Sequence, residues 1–187
     1  MSHYIDIHLR PDPEFPCHQL MAALYAKLHR VLAQVQASTI SVSFPGYQTV
    51  PATLGSTMRL VGPQGDLLRL MEQDWLKGMR DHTEVASVGA VPADAVQRSL
   101  RRVQAKSSPE RLRRRQMRRH GLTEEQARER VPDSTAELLN LPFVVLASAS
   151  TGQTFPLYLR LGPAEPTAQV GTFNAYGLST SATTPWF

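Results

Sequence analysis

The sequence has little cysteine: Cys17 stands alone, which excludes an internal disulfide framework and fits a reducing compartment. It has no apolar run near the ~20 residues needed to span a bilayer, so no membrane-spanning helix is expected. Its opening, MSHYIDIHLRPDP, lacks a basic start followed by an apolar stretch and does not read as a secretory leader. No glycine-rich phosphate loop and no paired-carboxylate motif occurs, and the histidines show no metal-ligand spacing. Acidic residues are nearly missing from one region: between Arg98 and Arg119 the only one is Glu110.

That same region holds ten Lys/Arg, giving it a net charge of +9, while the remainder carries ten basic and fifteen acidic residues, or −5. The whole-chain charge of +4 therefore hides a mildly acidic protein with one concentrated cationic segment. Such a distribution points to a localised polyanion site more than to general stickiness. With 187 residues, 42% of them apolar, the chain can bury a real core as one large domain or two small ones. These features together predict a soluble, cytoplasmic protein.

Along the chain, Ile5, Ile7 and Leu9 alternate in a half-buried strand from Tyr4 to Arg10. Leu20, Leu24, Leu28 and Val31 recur at helical spacing from Cys17 to about Gln36. TISVSF (Thr39 to Phe44) reads as a second strand, ended by Pro45-Gly46, and a third lies near Thr57 to Val61. GDLLRLMEQDWLKGM predicts a second helix, with a fourth strand between Arg80 and Val91. The order is β-α-β-β-α-β, so residues 1–94 are expected to form a ferredoxin-like domain within an α+β protein. That arrangement serves RNA-binding and many unrelated proteins alike, so it decides no function.

Residues 95–187 are expected to form a second α+β domain. RSLRRVQAKS reads as extended, placing Arg102, Gln104 and Lys106 on one side. Ser108-Pro109 starts a helix over about 109–120, with proline at its first position and Gly121 as its cap. A short helix begins at Thr123 with Gln126 in a capping box, and Pro132 ends it. FVVLASAS, TFPLYLR and a final pair around Gly171 read as short strands.

The arginine-rich helix carries the strongest functional signal. At about 100° per residue, Arg111, Arg114, Arg115, Arg118 and Arg119 share one broad face, leaving Leu112 and Met117 for packing elsewhere. Like charges one turn apart cost roughly 0.2–0.5 kcal/mol per pair, a cost that a bound anion reverses. Arginine's flat, forked donor fits phosphate better than lysine does. Nucleic acid is the favoured ligand, and composition alone does not separate RNA from DNA.

From RRVQAKSSPERLRRRQMRRH onward a resemblance can be stated. The chain resembles the CRISPR repeat-RNA processing endoribonucleases of subtype I-F systems. The likeness extends to HYIDIHLRPDPEF, KLHRVL, SASTGQTFPLYLR and the closing NAYGLS…PWF, so it covers essentially the whole chain. The resemblance implies a metal-independent ribonuclease without a cofactor, which cuts the CRISPR transcript at the 3′ base of each repeat hairpin. It implies a 5′-hydroxyl and a 2′,3′-cyclic or 3′-phosphate as products. The enzyme, a monomer on RNA, would then retain the guide RNA and join the other subunits of the type I-F surveillance complex.

By the same resemblance, the arginine helix enters the major groove of the hairpin stem. That groove is normally too deep and narrow for side chains, but a short stem closed by a loop is open at its ends. Arg102 and Gln104 match residues that read base edges, a role suited to arginine on guanine and glutamine on adenine. Phe155 matches a base-stacking aromatic, and Ser107 and Ser150 match further RNA-side positions. His29, Ser148 and Tyr176 match the catalytic set: a base that titrates near neutrality, a hydroxyl that holds the attacking 2′-oxygen, and a ring that orients the imidazole.

Taken singly, these residues say less. His29, beside Tyr25 and Leu32, reads as a boundary histidine, Ser148 as a neutral strand serine, and Tyr176 before Gly177 as a turn aromatic. STSATT (Ser179 to Thr184) departs from the family pattern, lacking the glycine-rich, basic character expected there. A non-catalytic RNA-binding subunit, or a DNA-binding protein using GLTEEQARERV as a helical reader, would share much of the composition.

Overall fold

The computed structural model describes residues 1–104, 109–132, 139–147 and 152–187. The chain divides into two compact units, one of Met1–Val103 with Leu141–Phe187 and one of Gln104–Asn140.

The first unit opens with β1 (His3–Leu9), α1 (Cys17–Gln34) and β2 (Ser41–Ser43), followed by a small hairpin of β3 (Gln48–Thr49) and β4 (Ala52–Thr53). Next come β5 (Thr57–Gly62), α2 (Gln64–Met71), a 3₁₀ turn at Arg80–His82, β6 (Thr83–Val85), β7 (Gly89–Ala90) and β8 (Val96–Val103). One antiparallel sheet has the order β2-β5-β1-β6, with β7 also pairing β1. α1 and α2 lie in the connections β1 to β2 and β5 to β6.

Alternation in β1 buries Ile5, Ile7 and Leu9 as expected. Asp6 breaks the pattern by being buried too, because its register partner on β5 is Arg59. α1 has no side-chain cap at Pro16, so its stability rests on a stripe of Leu20, Met21, Leu24, Tyr25, Leu28, Val31 and Leu32. These side chains repeat every three or four residues, and each fully buried leucine contributes about 1.5–3 kcal/mol. The helix stops when Gln36 turns into the left-handed region (φ 51°), which lets the Ala37 N–H close on the Leu32 carbonyl.

The sequence pattern of α2 overshoots. The helix expected through Met79 ends at Met71, although Trp75, Leu76 and Met79 are buried. Turns carry those apolar side chains inward, and Gly78 at φ 77° cannot continue a helix without cost. Apolar spacing therefore persisted where helical hydrogen bonding did not.

The later part of this unit supplies β9 (Phe143–Ala147), β10 (Thr154–Glu165) and β11 (Thr184–Trp186). They join β8 in a second antiparallel sheet, ordered β11-β8-β10-β9. Its inner face gives Leu100, Val144, Leu146, Leu157 and Leu159 to the same core cluster as α1 and β1. The strand pair expected around Gly171 is not there. Residues 166–183 are irregular, tied by isolated bonds such as Phe173 N–H to the Ser38 carbonyl and Thr183 N–H to the Gln169 carbonyl.

This irregular stretch also accounts for the unusual STSATT. Ser179, Ala182, Thr183 and Thr184 are buried. The Thr184 and Ser41 hydroxyls lie 2.6 Å apart, and Ser179 Oγ accepts the Ala182 N–H at 2.9 Å. Short hydroxyl side chains suit a packed segment whose main chain, up to Thr183, has no sheet partner.

In the second unit, α3 (Pro109–His120) and α4 (Glu124–Arg130) form a helical pair. Proline begins α3, and Gly121 at φ 62° follows its end with its N–H on the Met117 carbonyl. The capping box is formed: Thr123 Oγ1 accepts the Gln126 N–H at 3.3 Å, and Gln126 Oε1 accepts the Thr123 N–H at 3.1 Å.

Candidate active site and nucleic-acid interface

His29 sits on the flank of α1, half-buried, one turn after the fully buried Tyr25. Its imidazole stacks on the Tyr176 ring with centroids 3.9 Å apart and planes 5° from parallel. Its Nδ1 lies 2.9 Å from the Ala175 carbonyl oxygen. A carbonyl oxygen only accepts, so Nδ1 carries the hydrogen of that bond. In the neutral ring Nε2 is then the nitrogen with the free lone pair.

The Tyr176 turn is held from several sides. Asn174 Oδ1 accepts the main-chain N–H of Tyr176 at 2.8 Å and of Leu178 at 3.3 Å. The Asn174 carbonyl accepts the Gly177 N–H at 2.8 Å, and the Asn174 N–H donates to the Leu178 carbonyl at 2.9 Å. Val42 N–H on β2 bonds the Gly177 carbonyl at 3.0 Å. Gly177 has φ 68°, a backbone conformation that strains any L side chain, and a Cβ there would also crowd the Val42 nitrogen at 3.1 Å. From the helix side, the Tyr25 hydroxyl donates to the Tyr176 carbonyl at 2.8 Å. Burial, reinforced by the neighbouring Tyr176, pushes the Tyr25 phenol far above its ordinary range, so it remains a donor.

On the second sheet, the Arg102 guanidinium lies 5.3 Å from the centre of the Phe155 ring. Arg102 is exposed and Phe155 half-buried, an arrangement that keeps a cation and an aromatic face together at the surface. Gln104 is exposed. Ser107, Ser148 and Ser150, together with Lys106, lie outside the described residues.

In the second unit, Arg111, Arg114, Arg115, Arg118 and Arg119 are all exposed, while Leu112, Arg113, Gln116 and Met117 are partly covered. Arg113 thus belongs to the inner side, where its Nε donates to the Val131 carbonyl at 2.8 Å. On the outer face, Arg114 and Glu110 approach only to 3.9 Å, with both side chains largely exposed. Among the described residues, no ion pair engages Arg115, Arg118 or Arg119.

Sequence reasoning passed over Tyr25, Asn174 and Ala175. Two signals could have found them: Tyr25 precedes His29 by four residues, one helical turn, and Asn174 opens the turn signature NAYG. Among the described residues, no group of three His, Cys, Asp or Glu side chains could hold a metal ion, and no helix is long and apolar enough to cross a membrane.

The geometry defines an α+β protein with a tyrosine-stacked imidazole in one unit and an exposed arginine face in the other. A family model described as "CRISPR-associated protein (Cas_Csy4)" matches residues 4–187. The chain is 50% identical over 187 residues to the CRISPR-associated endonuclease Cas6/Csy4 of Pseudomonas aeruginosa (strain UCBPP-PA14), covering 100% of both chains. It is 43% identical over 187 residues to the protein of the same name from Escherichia coli (strain UTI89 / UPEC), again covering 100% of both. The chain belongs to the Csy4 family of CRISPR-associated proteins.

Proposed function

We propose that this protein is an endoribonuclease that binds the CRISPR repeat hairpin and cuts the precursor RNA at the 3′ base of the stem. The arginine face of α3 takes the phosphates of the stem, supplying most of the affinity. Arg102 and Gln104 read base edges at its foot, and Phe155 stacks on a base. Residues 1–94 serve as a ferredoxin-like, RRM-like domain, a reading supported by the β2-β5-β1-β6 order with one helix in each crossover.

The observation that carries the reading is the imidazole: Nδ1–H is committed to the Ala175 carbonyl, so Nε2 is left to work as a base. In the proposed step, Nε2 takes the proton of the 2′-hydroxyl just upstream of the cut while that oxygen bonds to phosphorus. The bond from phosphorus to the 5′-oxygen breaks, and that oxygen leaves as a hydroxyl with a proton from solvent or from the imidazolium. The products are a 2′,3′-cyclic phosphate, which water can open to a 3′-phosphate, and a 5′-hydroxyl. Ser148 holds the 2′-oxygen, and Tyr176 keeps the imidazole in plane. The scheme uses side chains alone, with no metal and no cofactor, and the protein afterwards retains the guide RNA and joins the other subunits of the surveillance complex.

The test is single-turnover cleavage of labelled repeat RNA. His29→Ala should slow cutting by about 10²–10⁴-fold with hairpin binding nearly unchanged. Cutting by that variant at the wild-type rate removes His29 from the mechanism. A 2′-deoxy nucleotide upstream of the cut should block the reaction, and EDTA should not. Tight hairpin binding without product under any condition would leave an RNA-binding subunit in place of an enzyme.

A further inference from the structure

Tyr25 and His29 stand one turn apart on α1 and grip two successive carbonyls of one turn, Tyr25 that of Tyr176 and His29 that of Ala175. On its other side the turn is tied to β2 through Gly177 and closed on itself by the Asn174 amide oxygen. The Ala175 carbonyl therefore lies between two anchored neighbours, Asn174 and Tyr176.

We propose that Tyr25 and Asn174 are positioning residues that set the tautomer of His29, holding the Ala175 carbonyl where only an Nδ1–H imidazole can bond to it. This rests on the catalytic reading of His29 given above and extends it to residues that make no hydrogen bond to the imidazole.

The physical argument is one of competing tautomers. In solution the two neutral forms of imidazole lie close in energy, so a single charge-free hydrogen bond of about 0.5–1.5 kcal/mol is enough to select one. That selection holds only if the acceptor is fixed. A carbonyl in a loose turn rotates toward water, and the ring then exchanges to the Nε2–H form, which presents a donor where a base is needed. Stacking on Tyr176 fixes the ring plane but not the proton, because either tautomer stacks equally well. The proton is set by the carbonyl, and the carbonyl by the Tyr25 hydroxyl and the Asn174 side chain. Tyr25 is suited to this: it is fully buried, and its hydroxyl is held in the donor form.

The experiment uses the full chain with ¹⁵N-labelled histidine. Nitrogen shifts of His29 in its neutral form report the tautomer without reference to activity, and the wild type should be predominantly Nδ1–H. Tyr25→Phe, which removes one hydroxyl, should raise the Nε2–H share and slow single-turnover cleavage about fivefold or more, with hairpin affinity within about twofold. Asn174→Ala should do the same more strongly, by about tenfold or more, and Asn174→Asp, which keeps the acceptor oxygen, should recover most of the rate. If Asn174→Ala does not fold, Tyr25→Phe and the wild-type spectrum carry the test. A wild-type ring in the Nε2–H form overturns the proposal, as do variants in which tautomer and rate both stay at wild-type values. If His29→Ala itself cuts normally, the catalytic reading fails first. If His29→Ala is inactive while Tyr25→Phe and Asn174→Ala leave the tautomer unmoved, only this inference fails.

Discussion

Arg59 and the arginines of α3 carry the same side chain to opposite ends. Arg59 is buried, with Nε 2.7 Å and Nη2 2.8 Å from the two carboxylate oxygens of Asp6 and Nη1 2.6 Å from the main-chain oxygen of Phe187. Its flat face lies 3.8 Å from the centre of the Phe187 ring and 4.8 Å from that of Tyr4. All three nitrogens are used, and the Tyr4 and Phe187 rings, themselves edge to face, pack against the guanidinium. On the outer face of α3, five guanidinium groups are exposed; Arg114 makes one loose ion pair, and among the described residues none engages Arg115, Arg118 or Arg119. The contrast separates an arginine that completes a fold from arginines kept for something else. What distinguishes them is how much of their hydrogen-bonding capacity the protein itself consumes.

The largest effect expected from breaking this comparison is on stability. Arg59→Met leaves the Asp6 carboxylate buried without a partner, which should cost about 3–5 kcal/mol in urea unfolding. The same measurement on Arg115→Met should move by less than about 0.5 kcal/mol. A small loss at Arg59 would mean that Asp6 reaches water on its own, and the distinction between the two kinds of arginine would go with it.

Next in size is binding. Replacing Arg115, Arg118 and Arg119 together by alanine should weaken hairpin affinity roughly hundredfold at physiological salt and leave the urea midpoint almost unchanged. The slope of log affinity against log salt should shallow by about one for each phosphate no longer neutralised, or about three in total. Equal slopes for the variant and the parent would show that this face does not meet phosphate.

The two regions also differed in how much could be read beforehand. The arginine face could be named residue by residue, because one helical period fixes which side chains share a side, and the capping box and Gly121 bounded the elements. Arg113 escaped for the same reason: the period places it opposite, and only the fold shows that it binds the Val131 carbonyl. In the first sheet, β1 and α1 were plain from alternation and from the Leu20–Leu24–Leu28 stripe. Asp6 was not, since its burial depends on a partner 53 residues away. Beyond Met71 the apolar spacing suggested more helix than exists, because Trp75, Leu76 and Met79 reach the core from turns. The His29 site was the least readable from local pattern. It joins α1 to a turn 146 residues later, through main-chain atoms that have no side-chain signature. A resemblance spanning the whole chain was needed to select His29 and Tyr176, and even that did not point to Tyr25 or Asn174.

The smallest effect sharpens the comparison most, because it asks whether the α3 face neutralises itself. Glu110 is the only acid between Arg98 and Arg119, and it sits four residues before Arg114, the favourable order for an ion pair on a helix. At 3.9 Å, with both side chains in water, the pair should contribute no more than about 0.5 kcal/mol. A double-mutant cycle of Glu110→Ala and Arg114→Ala, followed by urea unfolding, should return a coupling energy within that limit. In RNA binding the two substitutions should have opposite signs: Arg114→Ala should weaken affinity, whereas Glu110→Ala should strengthen it by about twofold, since it removes a negative charge from the face proposed to meet phosphate. A coupling above about 1 kcal/mol, or weaker binding on loss of Glu110, would show an arginine already engaged by its own helix, and Arg114 would then belong with Arg59.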